Sequence, residues 1–109
     1  MLDMLLIYTT CKSMEEAKKI GKHLLDKHLI ACTNIYPEMH PQFFWPPKSN
    51  QLDEGEEVVL LTKTLESKYQ EVETEIKKIH SYDVPCILAV PVMHVSKEYY
   101  DWVKGEVNG

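Results

Sequence analysis

Residues 80–92 read HSYDVPCILAVPV and join a polar loop to a short apolar run. The run from Ile87 to Val92 predicts a strand that is buried on both faces of a sheet. The loop before it carries an imidazole, a phenol, a carboxylate and a thiol, from His80, Tyr82, Asp83 and Cys86. A buried strand fed by such a loop is a candidate ligand site, although an ordinary helix-to-strand connection has the same appearance.

Upstream of this stretch, the pattern predicts a strand, a helix and a second strand. Met4 to Thr9 is apolar and ends in β-branched residues, which favours a strand. Ser13 to Glu16 has the spacing of a capping box, and we expect the helix that it opens to end at about Leu29. Ile30 to Tyr36 is the second strand.

The middle of the chain is interrupted by prolines. Pro37 and Pro41 donate no ladder hydrogen bond, so this part must be an edge, a bend or a bulge. Strand character resumes over Phe43–Trp45, and Pro46–Asn50 predicts a loop longer than a tight hairpin turn. The acidic residues of segment 53–57 are interpreted as a solvated run.

The second half repeats the pattern of the first. Val58 to Thr64 predicts a third strand buried on both faces, and Ser67 to Gln70 has the spacing of a second capping box. A helical apolar stripe follows, formed by Tyr69, Val72, Ile76 and Ile79. Beyond the opening stretch, Ser96 caps a short last helix.

This order of elements predicts one domain over residues 1–109 of the α+β class. Two βαβ units give a ferredoxin-like βαββαβ fold with a four-stranded antiparallel sheet and an extra C-terminal helix. Right-handed crossovers place both main helices on one face of the sheet. The other face is also apolar, and one short helix is too small to cover it. We therefore expect a homo-oligomer, with the Phe43–Trp45 segment (Phe43, Phe44 and Trp45) at the contact.

Composition excludes several classes of partner. The 109 residues carry a formal net charge of -5, which disfavours nucleic acid because phosphates need a basic face. No apolar stretch is long enough to span a membrane. The chain opens with an acid, Asp3, and a short apolar run rather than a basic signal peptide, so a cytosolic protein is expected. The three cysteines are widely spaced and predict free thiols.

His80 and Cys86 offer nitrogen and sulfur donors to a metal ion. Such donors suit Cu(I), Cu(II) or Zn(II) better than magnesium or calcium. Two ligands do not complete a site, and Cys11, His40 and His94 are candidates for the others. The alternatives are that His80 complements the dipole at a helix end and that Cys86 is a small buried hydrophobe.

A cysteine–histidine nucleophile is the enzymatic interpretation of the same loop, with Asp83 as the orienting group. It also requires an oxyanion site, and no glycine-rich or helix-N-terminal anion pocket adjoins the loop in the sequence. We therefore favour a binding protein over an enzyme.

The chain resembles the CutA family of divalent-cation tolerance proteins over nearly its whole length. The residues that carry the resemblance are Thr10-Cys11, the segment 29–34 (LIACTN), Pro37, Trp45, Glu57-Val58, Lys63-Thr64, His80, Tyr82, Val84-Pro85, Ile87, Ala89, Pro91-Val92, Tyr99 and Trp102. The family's usual His-Pro-Tyr-Glu-Val-Pro-Glu is here HSYDVPC, so that Cys86 replaces a glutamate.

The resemblance implies a ferredoxin-like subunit in a homotrimer that associates with copper and other divalent cations without catalysing a reaction. Tyr99 and Trp102 are interpreted as packing and interface residues. Two other functions remain open. One is a regulatory trimer that binds a small molecule, as the PII proteins of this fold do, and the other is a scaffolding trimer that is indifferent to metals.

Overall fold

Six strands and three α-helices make up the chain in a computed structural model that describes residues 3–107. Their bounds are β1 Met4–Cys11, α1 Met14–Asp26, β2 Cys32–Met39, β3 Gln42–Phe44, β4 Leu52–Glu54, β5 Glu57–Leu65, α2 Tyr69–Ile79, β6 Ile87–Pro91 and α3 Lys97–Val107. Within residues 3–107, each helix is too short or too polar to cross a membrane.

Four of the strands form one sheet in the order β2-β5-β1-β6, and all of its pairs are antiparallel. This order confirms the predicted α+β, ferredoxin-like arrangement. α1 and α2 pack on the same face of the sheet, where their apolar stripes meet the inward residues of the central strands. The core at this face is formed by Ile7, Cys11, Ala17, Ile20, Leu24, Leu29, Ile30, Val58, Leu60, Val72 and Ile76.

The N-terminus of α1 is capped by a hydroxyl, as predicted. The Glu16 amide donates to Ser13 Oγ at 3.1 Å. The carboxylate of Glu16 does not reach back to the Ser13 amide, however, because it accepts from the Lys12 amide at 2.9 Å. Farther along α1, Gly21 permits close approach to β2, since a Cβ there would lie 2.8 Å from Thr33 Cγ2.

The predicted end of α1 at about Leu29 is wrong, because the helix ends at Asp26. His28 adopts a left-handed conformation with φ 56°. The His28 amide donates to Leu25 O and the Leu29 amide to Leu24 O, which is the Schellman pattern that satisfies the last helical carbonyls. Glycine usually occupies this left-handed position, and its absence removed the stop signal from the sequence.

The second predicted capping box is also wrong. The segment Glu66–Lys68 forms a 3₁₀ turn, and neither this turn nor α2 has a side-chain cap. The Tyr69 amide donates to Glu66 O instead. The start of α2 is therefore joined to the preceding segment by a backbone hydrogen bond of the tighter turn and not by the Ser67 hydroxyl.

Segment 53–57, predicted as a solvated run, contains the ends of two strands. β4 pairs with β3 in a separate two-stranded hairpin, and Glu57 begins β5. We call residues 42–54, which comprise β3, β4 and the loop between them, the arm. The arm retains the long loop predicted over Pro46–Asn50.

The sheet face opposite α1 and α2, called here the open face, is covered only in part. α3 packs over one end of it, around Met4, Ala31 and Leu65. On β6, which pairs with β1 at the sheet edge, Leu88 remains 46% exposed and Val90 48% exposed. The expectation that one short helix leaves much of this apolar face uncovered is met within the single chain.

Candidate metal centre

Three donor groups converge where β1 ends. Cys11 is the last residue of β1, Glu16 lies in the first turn of α1, and His80 follows the end of α2. One ligand atom from each of these residues lies within 4.8 Å of the others. The structure therefore brings together two predicted ligands, Cys11 and His80, and adds Glu16.

The imidazole of His80 is held by backbone groups on both sides. Nε2 lies 2.8 Å from the Thr10 carbonyl oxygen, and the Tyr82 amide donates to Nδ1 at 3.0 Å. Since a carbonyl only accepts, these contacts define the neutral tautomer with its proton on Nε2. His80 is also the C-cap of α2, but its backbone amide, rather than a charged ring, makes the helix-end bond to Ile76 O.

The carboxylate of Glu16 ties three segments together. It is 7% exposed, accepts from the Lys12 amide through Oε1, and accepts from the Ser81 amide at 3.0 Å through Oε2. Burial raises the pKa of Glu16, but the hydrogen bonds from Ser81 and Lys12 outweigh it and hold the pKa below its usual value. Glu16 is therefore ionised at neutral pH.

Sequence reasoning missed Glu16 because the capping-box spacing assigned it to the helix terminus alone. Its contact with Ser81 spans 65 positions in the chain. The only local signal is that Glu16 lies in the first turn of the helix that follows the strand carrying Cys11.

Cys11 is fully buried beneath this network. Burial raises the pKa of the Cys11 thiol to about 12, with the charges of Glu16 and Glu57 adding to the shift. The thiol is protonated at neutral pH, and a buried, protonated thiol is a poor nucleophile.

Cys86 does not belong to the three-donor group found among residues 3–107. It is partly buried and faces a neighbouring cavity of about 780 Å³ together with Tyr82 and Glu57. Tyr82 donates its hydroxyl to Glu57 Oε2 at 2.7 Å. Burial raises the pKa of the Cys86 thiol, and the Glu57 charge raises it further. The two other candidate donors, His40 and His94, are also outside the group, and His40 contacts Glu54 on the arm at 2.7 Å.

The cysteine–histidine nucleophile is not assembled in the described part of the chain. Both ring nitrogens of His80 are used by backbone groups, and neither contacts a thiol or Asp83. The chemistry that the three-donor group offers is metal coordination, since a thiol, an imidazole and a carboxylate together suit zinc or copper.

The predicted interface residues lie in two places. Phe43, Phe44 and Trp45 are on the arm, and each is more than 40% exposed. Tyr99 is on α3 and packs against the core beneath that helix, with its hydroxyl 3.4 Å from Cys32 Sγ and its ring 5.6 Å from that of Trp102. Trp102 is itself exposed on the outer side of this cluster.

Comparison with known proteins identifies the family. Residues 5–106 match the family model described as CutA1 divalent ion tolerance protein. The divalent-cation tolerance protein CutA of Archaeoglobus fulgidus is 42% identical over 97 residues, which cover 89% of this chain and 91% of the relative. The corresponding protein of Pyrococcus horikoshii is 37% identical over 100 residues, which cover 92% and 94%. The chain belongs to the CutA1 family, as its resemblance predicted.

Solved structures agree with this assignment. CutA1 from Ehrlichia chaffeensis superposes with a TM-score of 0.90 at 28% identity, covering 98% of this chain and 97% of the other. The Archaeoglobus fulgidus structure gives a TM-score of 0.90 at 39% identity, covering 95% and 98%.

The prediction of a cytosolic protein is contradicted by one of these relatives. The Archaeoglobus fulgidus structure is described as that of a periplasmic divalent cation tolerance protein. The cytosolic prediction is therefore withdrawn, since an acid and a short apolar run near the start of a chain do not decide its compartment.

Proposed function

We propose that the protein binds copper, as Cu(I) or Cu(II), or zinc at the end of β1, as part of the ion tolerance for which its family is named. The observation that carries this proposal is the convergence of Cys11, Glu16 and His80 donors within 4.8 Å. A binding role, rather than catalysis, is also in keeping with a family named for tolerance and not for a reaction.

Two of the donors have to change before they can serve as ligands. Cys11 must lose its proton, because the thiolate is the ligand form of cysteine. His80 Nδ1 must release the Tyr82 amide, whereas each Glu16 oxygen keeps a free lone pair beside its hydrogen bond from Lys12 or Ser81. The cluster would hold the metal ion through sulfur, nitrogen and oxygen, which leaves the fourth position of a tetrahedral site for another donor.

Cys86 is our proposed additional ligand. It lies six residues after His80 on the same loop, and it is adjacent to Glu57 and Tyr82. The Tyr82–Glu57 hydrogen bond holds this loop against the start of β5. Ligation by Cys86 would require the loop to move until its thiol joins the three-donor group, because Cys86 lies outside that group in this structure.

The test is an anaerobic titration of reduced protein with Cu(I), Cu(II) and Zn(II), with stoichiometry and affinity measured per chain. We expect saturable binding at about one ion per chain, weakened about tenfold or more in Cys11→Ser and in Cys86→Ser. Cys32→Ser is the matched control, because Cys32 begins β2 at the opposite end of the sheet, beside Tyr99 of α3.

Two outcomes would contradict the proposal. Absence of saturable binding would remove the metal function, and equal weakening by all three serine variants would show that binding is not local to this end of the sheet. Loss in Cys11→Ser but not in Cys86→Ser would retain the site and remove Cys86 from it.

We also propose that the protein is a homotrimer assembled through the open face. The uncovered Leu88 and Val90, together with exposed Phe44 and Leu52 on the arm, support an interface that another copy covers. Light scattering after size exclusion should give three times the mass of one chain. Leu88→Ser should reduce that mass, whereas a single-chain mass for the wild type would contradict the trimer.

A further inference from the structure

The cavity of about 780 Å³ lies between the arm and the end of the open face. Its aromatic lining comes from four parts of the chain: Tyr8 on β1, Phe43 and Phe44 on β3, Trp45 after β3, and Tyr82 on the loop before β6. Its volume is within the range of about 300–1,000 Å³ that is typical of small-molecule sites. Aromatic and apolar side chains form most of this lining.

The charged groups of the cavity are all acidic. Asp53, Glu57 and Asp83 line it, and no lysine, arginine or histidine does so among residues 3–107. None of these three carboxylates forms an ion pair in the described part of the chain, although other acids of the arm and helices do. The negative charge of the cavity is therefore not neutralised by the protein.

We propose that this cavity binds an organic ammonium cation with alkyl substituents on its nitrogen. Aromatic ring faces attract such cations through the ring quadrupole, and quaternary ammonium groups are bound by aromatic cages in this way. The three carboxylates supply charge complementarity at the same place. A nucleotide or another phosphate ligand would be repelled by these carboxylates, and a hydrated metal ion would gain little from the apolar walls.

Both faces of the arm contribute side chains to the cavity. In the hairpin, Phe43 is paired with Asp53, and Phe44 with Leu52. Because neighbouring strand residues point to opposite faces, Phe43 and Asp53 share one face of the arm and Phe44 and Leu52 the other. Phe43 and Asp53 line the cavity from the first face and Phe44 reaches it from the second, whereas Leu52, which is 61% exposed, lies outside the cavity and is available to another copy.

The experiment is isothermal titration of the full chain, in the presence of a chelator, with choline and with its neutral carbon isostere 3,3-dimethylbutan-1-ol. The two probes match in shape and differ in charge. We expect saturable binding of choline. The neutral alcohol should bind at least about tenfold more weakly, since the cation–π and carboxylate attractions act on the positive charge alone. Equal affinities, or no binding of choline, would overturn the proposal.

A pair of variants tests whether the charge acts inside the cavity. Glu57→Gln removes one lining charge and keeps an oxygen that accepts from Tyr82, and it should weaken choline binding about threefold to tenfold. Glu54→Gln removes the same charge from the arm at a position outside the cavity, and it should change the affinity less than about twofold. Equal weakening by both variants would mean nonspecific attraction and would overturn the proposal.

Trp45→Leu provides a separate test of the aromatic wall. It should reduce choline binding while circular dichroism and the mass of the assembly remain those of the wild type, and unchanged choline binding would overturn the aromatic assignment. Metal titration distinguishes this inference from the metal function, because the cavity variant Trp45→Leu leaves Cys11, Glu16 and His80 in place.

Discussion

The two ends of β1 are built in different ways. At its start, Met4 and Leu65 are sealed under Val103 and Val107 of α3, and this second core is apolar. At its end, Cys11 lies where the apolar core meets polar groups, with the Glu16 carboxylate and the His80 ring bound to backbone amides and a carbonyl.

Burial at the start of β1 stabilises the fold, whereas burial at the end of β1 holds chemically active groups in a fixed arrangement. Polar groups at the α3 end, such as Cys32 and Tyr99, lie beside the apolar core and are partly exposed. At the other end, polar groups occupy positions that side chains of a core would otherwise fill. Buried polar groups are costly unless every hydrogen bond is made, and a fully bonded set fixes its own geometry.

The largest expected effect is on the free energy of unfolding, and it distinguishes a leucine under α3 from a leucine on the arm. Leu65→Ala should cost about 2–5 kcal/mol of unfolding free energy, because the side chain is buried under α3. Leu52→Ala, on the exposed face of the arm, should cost less than Leu65→Ala, since the Leu52 side chain is buried only where another copy covers it. Urea denaturation at one fixed protein concentration measures both. Similar losses would show that the arm is packed as firmly as the α3 end.

Glu16→Gln should destabilise the chain by about 1–3 kcal/mol at neutral pH, because an amide side chain cannot accept from both Lys12 and Ser81. Glu15→Gln is the control, since its side chain is exposed in the same turn. The folded-state pKa of Glu16 lies below the ordinary value of 4.5. The stabilisation is therefore complete above that value and is lost as pH falls through the folded pKa.

Denaturation measured as a function of pH tests this sign. The difference between wild type and Glu16→Gln should shrink as the pH falls below 4.5, the ordinary pKa of the group. A difference that grows in acid would contradict the ionised, hydrogen-bonded assignment.

Metal affinity should rise by about tenfold or more for each pH unit between about pH 7 and 9, because each bound metal ion displaces at least one thiol proton. The pKa of Cys11, raised to about 12, keeps that thiol protonated over the whole interval. Competition titrations at several pH values measure the slope. Cys11→Ser should flatten the slope and Cys32→Ser should preserve it, so an unchanged slope in Cys11→Ser would exclude this thiol as a ligand.

The smallest effect contrasts two buried threonines of β5. The Thr62 hydroxyl has no hydrogen-bond partner among the described residues, whereas Thr64 Oγ1 donates to the Leu29 carbonyl at 2.6 Å. Thr62→Val should therefore stabilise the chain by about 1 kcal/mol, and Thr64→Val should destabilise it by about the same amount. Thermal denaturation of the two variants decides the signs, and a shared sign would contradict the contrast.

Patterns with a short repeat were predictable from the sequence, and contacts between distant segments were not. The apolar stripe of α2 and the apolar runs of β1 and β5 predicted the sheet and the helices that cover it. The end of α1 was missed because His28 takes a left-handed position that glycine usually marks. β4 was missed because its acidic residues do not alternate with apolar ones.

The site, like the fold, was predicted only in part, because the sequence indicates which residues can bind a metal ion but not which distant residues meet. The chemistry of Cys11 and His80 selected them as candidate ligands, and the fold placed them together. Glu16 joined them only through a contact with Ser81 that no local pattern encodes. Cys86, although it is close to His80 in sequence, faces the cavity.

The interruption of β2 has a consequence for solubility. β2 is an edge strand of the sheet, so its outer amides and carbonyls would accept a strand from any other chain. Pro37 lacks an amide proton, Glu38 takes a positive φ of 65°, and regular pairing with β5 is broken between Tyr36 and Met39. This edge therefore offers only a short regular segment, Cys32 to Tyr36. The irregularity hinders the addition of a strand from another chain on the β2 side of the sheet, and with it the growth of fibres from that side.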